Sequence, residues 1–309
     1  MSFKIRNVET IGESVRRIIH EQIKDAITAS KGEQNGQGSP VHQTRKHLKK
    51  ARAALRLLAP VLPSALCDRE DRRLRTVGRL ISDIRDAEVR LETVKQLREI
   101  SALAGNRSFE ETEELLAFEL DSFLAAFANW REEAAKNLLR TQDAVTNWHL
   151  PKVTRKQICQ RVSLSYKCGR RALKKAAKKG GAKRYHELRK QAKQLWYQIR
   201  ILRPLHPAVF CDMADELKGL GERLGHAHDL HFLGDRIEAM VGAGARTRRS
   251  QRLAGLIDSR EKDLYSTALA LAERFYAEPP NEFAARIAGY FRDWERVKRA
   301  KATELLAKS

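Results

Sequence analysis

No window of the 309-residue sequence approaches the roughly 18 consecutive apolar residues of a membrane span, and its start, MSFKIRNVET, carries no apolar signal core. A cytoplasmic protein that does not enter a membrane is expected. Cysteine is scarce: Cys67, Cys159, Cys168 and Cys211 stand singly with no CxxC pair, which excludes a disulfide framework and a thiolate zinc site. Also missing are β-branched alternation, a Gly-rich phosphate loop after a strand, and the spacings of a Ser-His-Asp or Cys-His nucleophile. The reading is all-α and not an enzyme. No cofactor and no metal are expected.

The most informative scarcity is that of acids in two particular stretches. Residues 34–67 hold six Lys/Arg and no Asp/Glu, and residues 144–211 hold eighteen Lys/Arg against the single Glu187. The remainder carries 36 bases and 38 acids, so these stretches hold all of the net charge of +21. Such a concentration points to a polyanionic partner.

What fills the chain is Leu, Ala, Lys, Arg, Glu and Gln, with proline rare inside the runs. Helices are expected near 9–30, 41–59, 64–102, 108–140, 152–179, 183–203, 207–241, 248–277 and 281–307. A repeat runs through them. VHQTRKHLKKARAALRLLAPVL (41–62) matches YHELRKQAKQLWYQIRILRPLH (185–206) at an offset of 144, and residues 82–89 match 225–232 at an offset of 143. The chain is a duplication, divided into 1–145 and 146–309, with about four helices in each half.

On a helical wheel His42, Arg45, Lys46, Lys49, Arg52 and Arg56 share one sector, with Leu48, Ala51, Leu55, Leu58 and Leu62 opposite. His186, Arg189, Lys190, Lys193 and Arg200 take the same sector of the second repeat, facing away from Leu188, Ala192, Leu195, Ile199 and Leu202. The preceding helix carries a further stripe, Lys167, Arg170, Arg171, Lys174 and Lys178. Like charges at i,i+4 cost a few tenths of a kcal/mol per pair, and a merely solvated helix interleaves glutamate with lysine. These helices do not. They read as anion-binding faces, with the histidines lining the same surface.

The paired H-x-x-R-[KR]-x-x-K helices, each followed by the Arg85-Asp86 or His228-Asp229 segment, resemble the CHAD domain, the conserved histidine α-helical domain. The resemblance implies two pseudo-symmetric antiparallel four-helix bundles with a C-terminal helix in addition. It also implies a central basic groove or pore that binds inorganic polyphosphate, and association with polyphosphate granules. Gln194 and Trp196 replace the bases Lys50 and Arg52.

RNA or single-stranded DNA is the competing partner. Single-strand binders interleave stacking aromatics, whereas aromatics make up 6% of this chain; Trp196 and Tyr197 lie within a repeat helix, Tyr197 on the basic sector. A metal site from His226, His228, Asp229 and His231 is disfavoured, because His226 and His228 point roughly 200° apart on a helix. Arg85-Asp86 and His228-Asp229 are read as structural pairs near the bundle interface.

Overall fold

The computed structural model describes residues 3–33, 38–100, 107–241 and 248–307. Its described residues form α1 (Ile11–Lys31), α2 (Pro40–Leu58), α3 (Ser64–Leu80), α4 (Ser82–Glu99), α5 (Arg107–Ala126), α6 (Trp130–Thr146), α7 (Arg155–Lys179), α8 (Ala182–Ile201), α9 (Pro207–Val241), α10 (Arg248–Phe275) and α11 (Pro280–Ala307), with a 3-10 turn at Arg203–Leu205 and no strand. The fold is all-α, as the composition predicts. None of these helices is long and apolar enough to cross a membrane.

Local chemistry sets the helix ends. Thr10 with Glu13, and Thr154 with Gln157, form capping boxes that satisfy the first free amides of α1 and α7. Ser39 caps α2 by accepting from the His42 amide, with Pro40 preset for the first turn. Gly32 ends α1 at φ 81°, a left-handed backbone that glycine enters without steric cost.

Two of the expected helices divide. The run expected over 64–102 turns at Ile81, where the Ser82 hydroxyl donates to the Arg79 carbonyl and competes with the helical ladder; residues 101 and 102 lie outside the described residues. The run expected over 108–140 breaks at 127–129, because the Trp130 amide turns back to the Phe127 carbonyl and drops the Trp130 ring into the core. Its second part, α6, continues to Thr146.

The same pairings occur in each half: α1 with α2 and α7 with α8, α1 with α6 and α7 with α11, α4 with α5 and α9 with α10. One continuous helix, α9, does in the second half what α3 and α4 do in the first. The apolar sides expected for the repeat helices are buried throughout: Leu48, Ala51, Leu55, Leu58 and Leu62 in α2 and after it, Leu188, Ala192, Leu195, Ile199 and Leu202 in α8 and after it. Each buried leucine contributes about 1.5–3 kcal/mol, which locks the rotation of α2 and α8 and so aims their basic sectors. One core draws on both halves. A second, smaller core joins Val94, Leu97, Phe109 and Leu116 to Leu230, Leu233, Ile237, Leu253 and Ile257.

Candidate polyanion-binding cleft

The basic sectors of α2 and α8 meet where these helices pack on each other and on α4 and α9. At the centre is Lys49, whose ammonium is held down to about 7 by the protein crowded around it and then by the charges of Arg45, Arg189, Lys193 and Arg85. Yet Lys49 is exposed. Cations of both halves gather around it. Lys193 is likewise lowered to about 8, by desolvation and by Arg189.

Internal carboxylates steer the arginines without neutralising the cluster. Arg45 donates to the Gly78 carbonyl at 2.9 Å and feels Asp86 as its nearest counter-charge. Arg189 bears the same relation to Asp229. Burial raises both aspartates despite these arginines. Glycines make room: a Cβ on Gly221 would stand 2.8 Å from Lys193 Cε, and one on Gly225 would stand 3.3 Å from Arg189 Nη2. Gly221 corresponds to Gly78 in the repeat, where Arg45 bonds the carbonyl and only Leu48 Cδ1, at 3.9 Å, stands near the Cβ position.

His42 is lowered to about 4 by desolvation and then by Arg85, Lys46, Lys49 and Arg45. His186 is lowered by desolvation and Arg189, and its ring lies 4.5 Å from that of His228, itself pushed down to about 3. All three are neutral donors at pH 7. His231 turns away, to Glu261 at 3.4 Å and Asp235 at 3.6 Å. Among the described residues no three His, Cys, Asp or Glu side chains gather closely enough to hold a metal.

Of the residues expected at the site, His42, Arg45, Lys49, His186, Arg189 and Lys193 come together. Arg56 reaches across to Gln194 Oε1, tying α2 to α8, and Arg200 lies 4.7 Å over the Trp196 ring at the far end. Lys46 and Lys190 are exposed on the rim, Lys190 paired with Glu187 at 2.7 Å. Arg52 is held by Asp71 in a two-pronged pair at 2.7 and 3.2 Å, and Arg75 and Arg56 reach the same carboxylate, which is held down to about 2 by these hydrogen bonds against its desolvation.

The α7 stripe faces elsewhere. Lys167 lines a cavity of about 590 Å3 between α7 and α11, Arg170 donates to the Ala277 carbonyl, and Arg171 and Lys174 are exposed. Tyr197, expected on the basic sector, is buried edge-on against Phe3. Arg85, read as half of a pair with Asp86, instead bonds Glu88 at 3.0 Å and joins the cations around Lys49 and His42.

A polyanion bound beside Lys49 would favour its protonated form, so binding there would take up protons near neutral pH. Affinity for a polyphosphate is expected to rise about tenfold as pH falls from about 8.5 to about 6, through the depressed Lys49 and Lys193. Calorimetry in buffers of different ionisation enthalpy reads the uptake directly. Proton release, or none, would contradict the placement of Lys49 at the ligand.

Fold and geometry together give an all-helical scaffold in which Arg45, Lys49 and Arg85 stand near Arg189 and Lys193. The chain belongs to the CHAD domain family, whose family model matches residues 17–238. Its fold is shared by PptA from Streptomyces chartreusis, with a TM-score of 0.61 and 12% identity over 87% of this chain and 100% of that one. The CHAD domain from the plant Ricinus communis is also similar, with a TM-score of 0.55 and 16% identity over 90% of this chain and 96% of that one. Among curated proteins no sequence matches.

Proposed function

We propose that the chain binds inorganic polyphosphate along the cleft between α2 and α8, residues 1–145 supplying one wall and 146–309 the other, and that it acts as a granule-associated binding protein without catalysing a reaction. One observation carries this reading: Arg45, Arg189, Lys193 and Arg85 gather around Lys49, which the surrounding protein and then these charges hold down to about 7. Polyphosphate has about one negative charge per unit and no bases, so a track of ammonium donors and guanidinium forks suffices to recognise it.

The nucleic-acid alternative loses ground on the same helix. Lys193 and Arg200 lie 4.5 and 4.7 Å from the Trp196 ring centre, where they compete with a base for the ring, and Tyr197 is buried. Long-chain polyphosphate and single-stranded RNA, titrated at matched charge and about 150 mM salt, separate the two. Polyphosphate is expected to bind more tightly, with a steep fall of affinity in salt. Equal competition by RNA would reject the reading, and so would a flat salt dependence.

A further inference from the structure

The halves differ at the position of Asp71. In the first, Asp71 of α3 gathers Arg52, Arg56 and Arg75 onto one carboxylate. The repeat offsets replace Asp71 by Ala214 of α9 and set Trp196, Arg200 and Lys218 where Arg52, Arg56 and Arg75 stand. A methyl group thus takes the carboxylate's place, at the wall of a cavity of about 540 Å3 lined by Lys4, Arg200, Arg203 and Lys218, with Asp215 as the one lining carboxylate. Lys218 also reaches Glu222, at 3.8 Å, on the exposed side of α9. Trp196, which lines the cavity, also has Lys193 4.5 Å from its ring centre, so the cavity lies next to the cations of α8.

A carboxylate held by guanidinium forks is the protein's own substitute for a phosphate. Asp71 fills that role in the first half; the second half keeps two of the three cations, Arg200 and Lys218, with Ala214 where that carboxylate stands and Asp215 one residue further on. The end group of a polyphosphate differs from an inner one, having three free oxygens rather than two and a second ionisation near pH 6–7, as in phosphate monoesters. It is the part of the chain that suits several convergent donors. We infer, building on the polyphosphate reading, that the cavity beside Ala214 seats the terminal phosphate of the ligand, and that Asp71 closes the counterpart position. The bound chain therefore lies with one end anchored in the second half.

Calorimetry with two small probes of similar charge tests this: pyrophosphate, which consists only of ends, and cyclic trimetaphosphate, which has none. The protein is expected to take up one pyrophosphate, at least about tenfold more tightly than trimetaphosphate. Ala214→Asp, which rebuilds the internal anion, should weaken pyrophosphate at least about tenfold. Because Ala214 is buried, the exposed pair Arg203→Gln with Lys218→Gln provides a second variant that leaves the core untouched and should give the same loss. Asp71→Ala should add a second pyrophosphate site. Equal binding of the two probes, or full pyrophosphate affinity in the Arg203/Lys218 variant, would overturn the inference; so would a stoichiometry that stays at one in Asp71→Ala. If the unaltered protein binds pyrophosphate in this way but not long chains, the cleft reading alone falls, and the reverse pattern removes only the end site.

Discussion

Reversing four charges, Arg45→Glu and Lys49→Glu in α2 with Arg189→Glu and Lys193→Glu in α8, is expected to bring long-chain polyphosphate binding near background while leaving helix content unchanged. Either double change alone should weaken binding at least about tenfold. Each lost charge-assisted hydrogen bond is worth about 1.5–3 kcal/mol, and about 1.4 kcal/mol is a factor of ten. The geometry makes the effect reciprocal: Lys49 of the first half feels Arg189 and Lys193 of the second as directly as its own neighbour Arg45. A glutamate at 45 would also face Asp86, so the new charge repels an internal carboxylate as well as the ligand. The fold should survive because these side chains oppose the buried leucine rows. Calorimetry decides between a shared cleft and two independent sites. Halved stoichiometry at unchanged affinity in one double variant would show that the halves bind separately and would reject the shared cleft.

The largest loss of stability is expected at Gly169, far from the cleft. Its α-carbon lies against Tyr276, and a Cβ there would collide with the phenol ring and hydroxyl. That ring has nowhere to retreat, since it is fully buried beside Tyr166, which stacks on Phe283 at 4.0 Å. Gly169→Val should therefore cost about 3 kcal/mol, the upper end of ordinary overpacking, far more than the few tenths gained in helix propensity. Gly255 in α10 is the control, because nothing lies within 4 Å of its Cβ position. Gly255→Ala should stabilise by up to about 1 kcal/mol. Thermal unfolding followed by circular dichroism should show the two midpoints moving in opposite directions. A Gly169→Val midpoint within about 1 °C of the unaltered protein would show that this contact is soft.

Periodicity made the repeat helices legible, and for a physical reason: a helix must bury its apolar row, so the row's position dictates where the opposite face points. Leu48, Leu55, Leu188 and Leu195 behave in this way, and Arg45, Lys49, Arg189 and Lys193 converge as a result. Facts that depend on which helix lies opposite stayed out of reach. The charge of Arg52 is cancelled by Asp71, which belongs to another helix. The α7 stripe is as regular as those of α2 and α8, but periodicity does not say that Lys167 and Arg170 look toward α11 and the turn before it. Tyr197 sat on the basic sector of a wheel and is nonetheless buried, because the Phe3 segment covers it. Gly221 and Gly225 mark where Lys193 and Arg189 cross α9, a meaning that depends on which helix lies opposite. The break at Ile81 involves neither glycine nor proline, only a serine hydroxyl that turns back on the backbone.

The smaller core has a consequence for how such a protein can be assembled. Val94, Leu97, Phe109 and Leu116 are covered by residues of α9 and α10, and the larger core likewise draws on both repeats. Half a chain, released on its own, would expose those side chains and need a second molecule to cover them. Its folding would then be a bimolecular event, governed by how many copies a cell contains. Joining the repeats in one polypeptide makes the encounter intramolecular, at an effective concentration set by the length of the connection between them. Arg45 and Lys49 of one repeat are thereby brought beside Arg189 and Lys193 of the other by a step that does not depend on concentration.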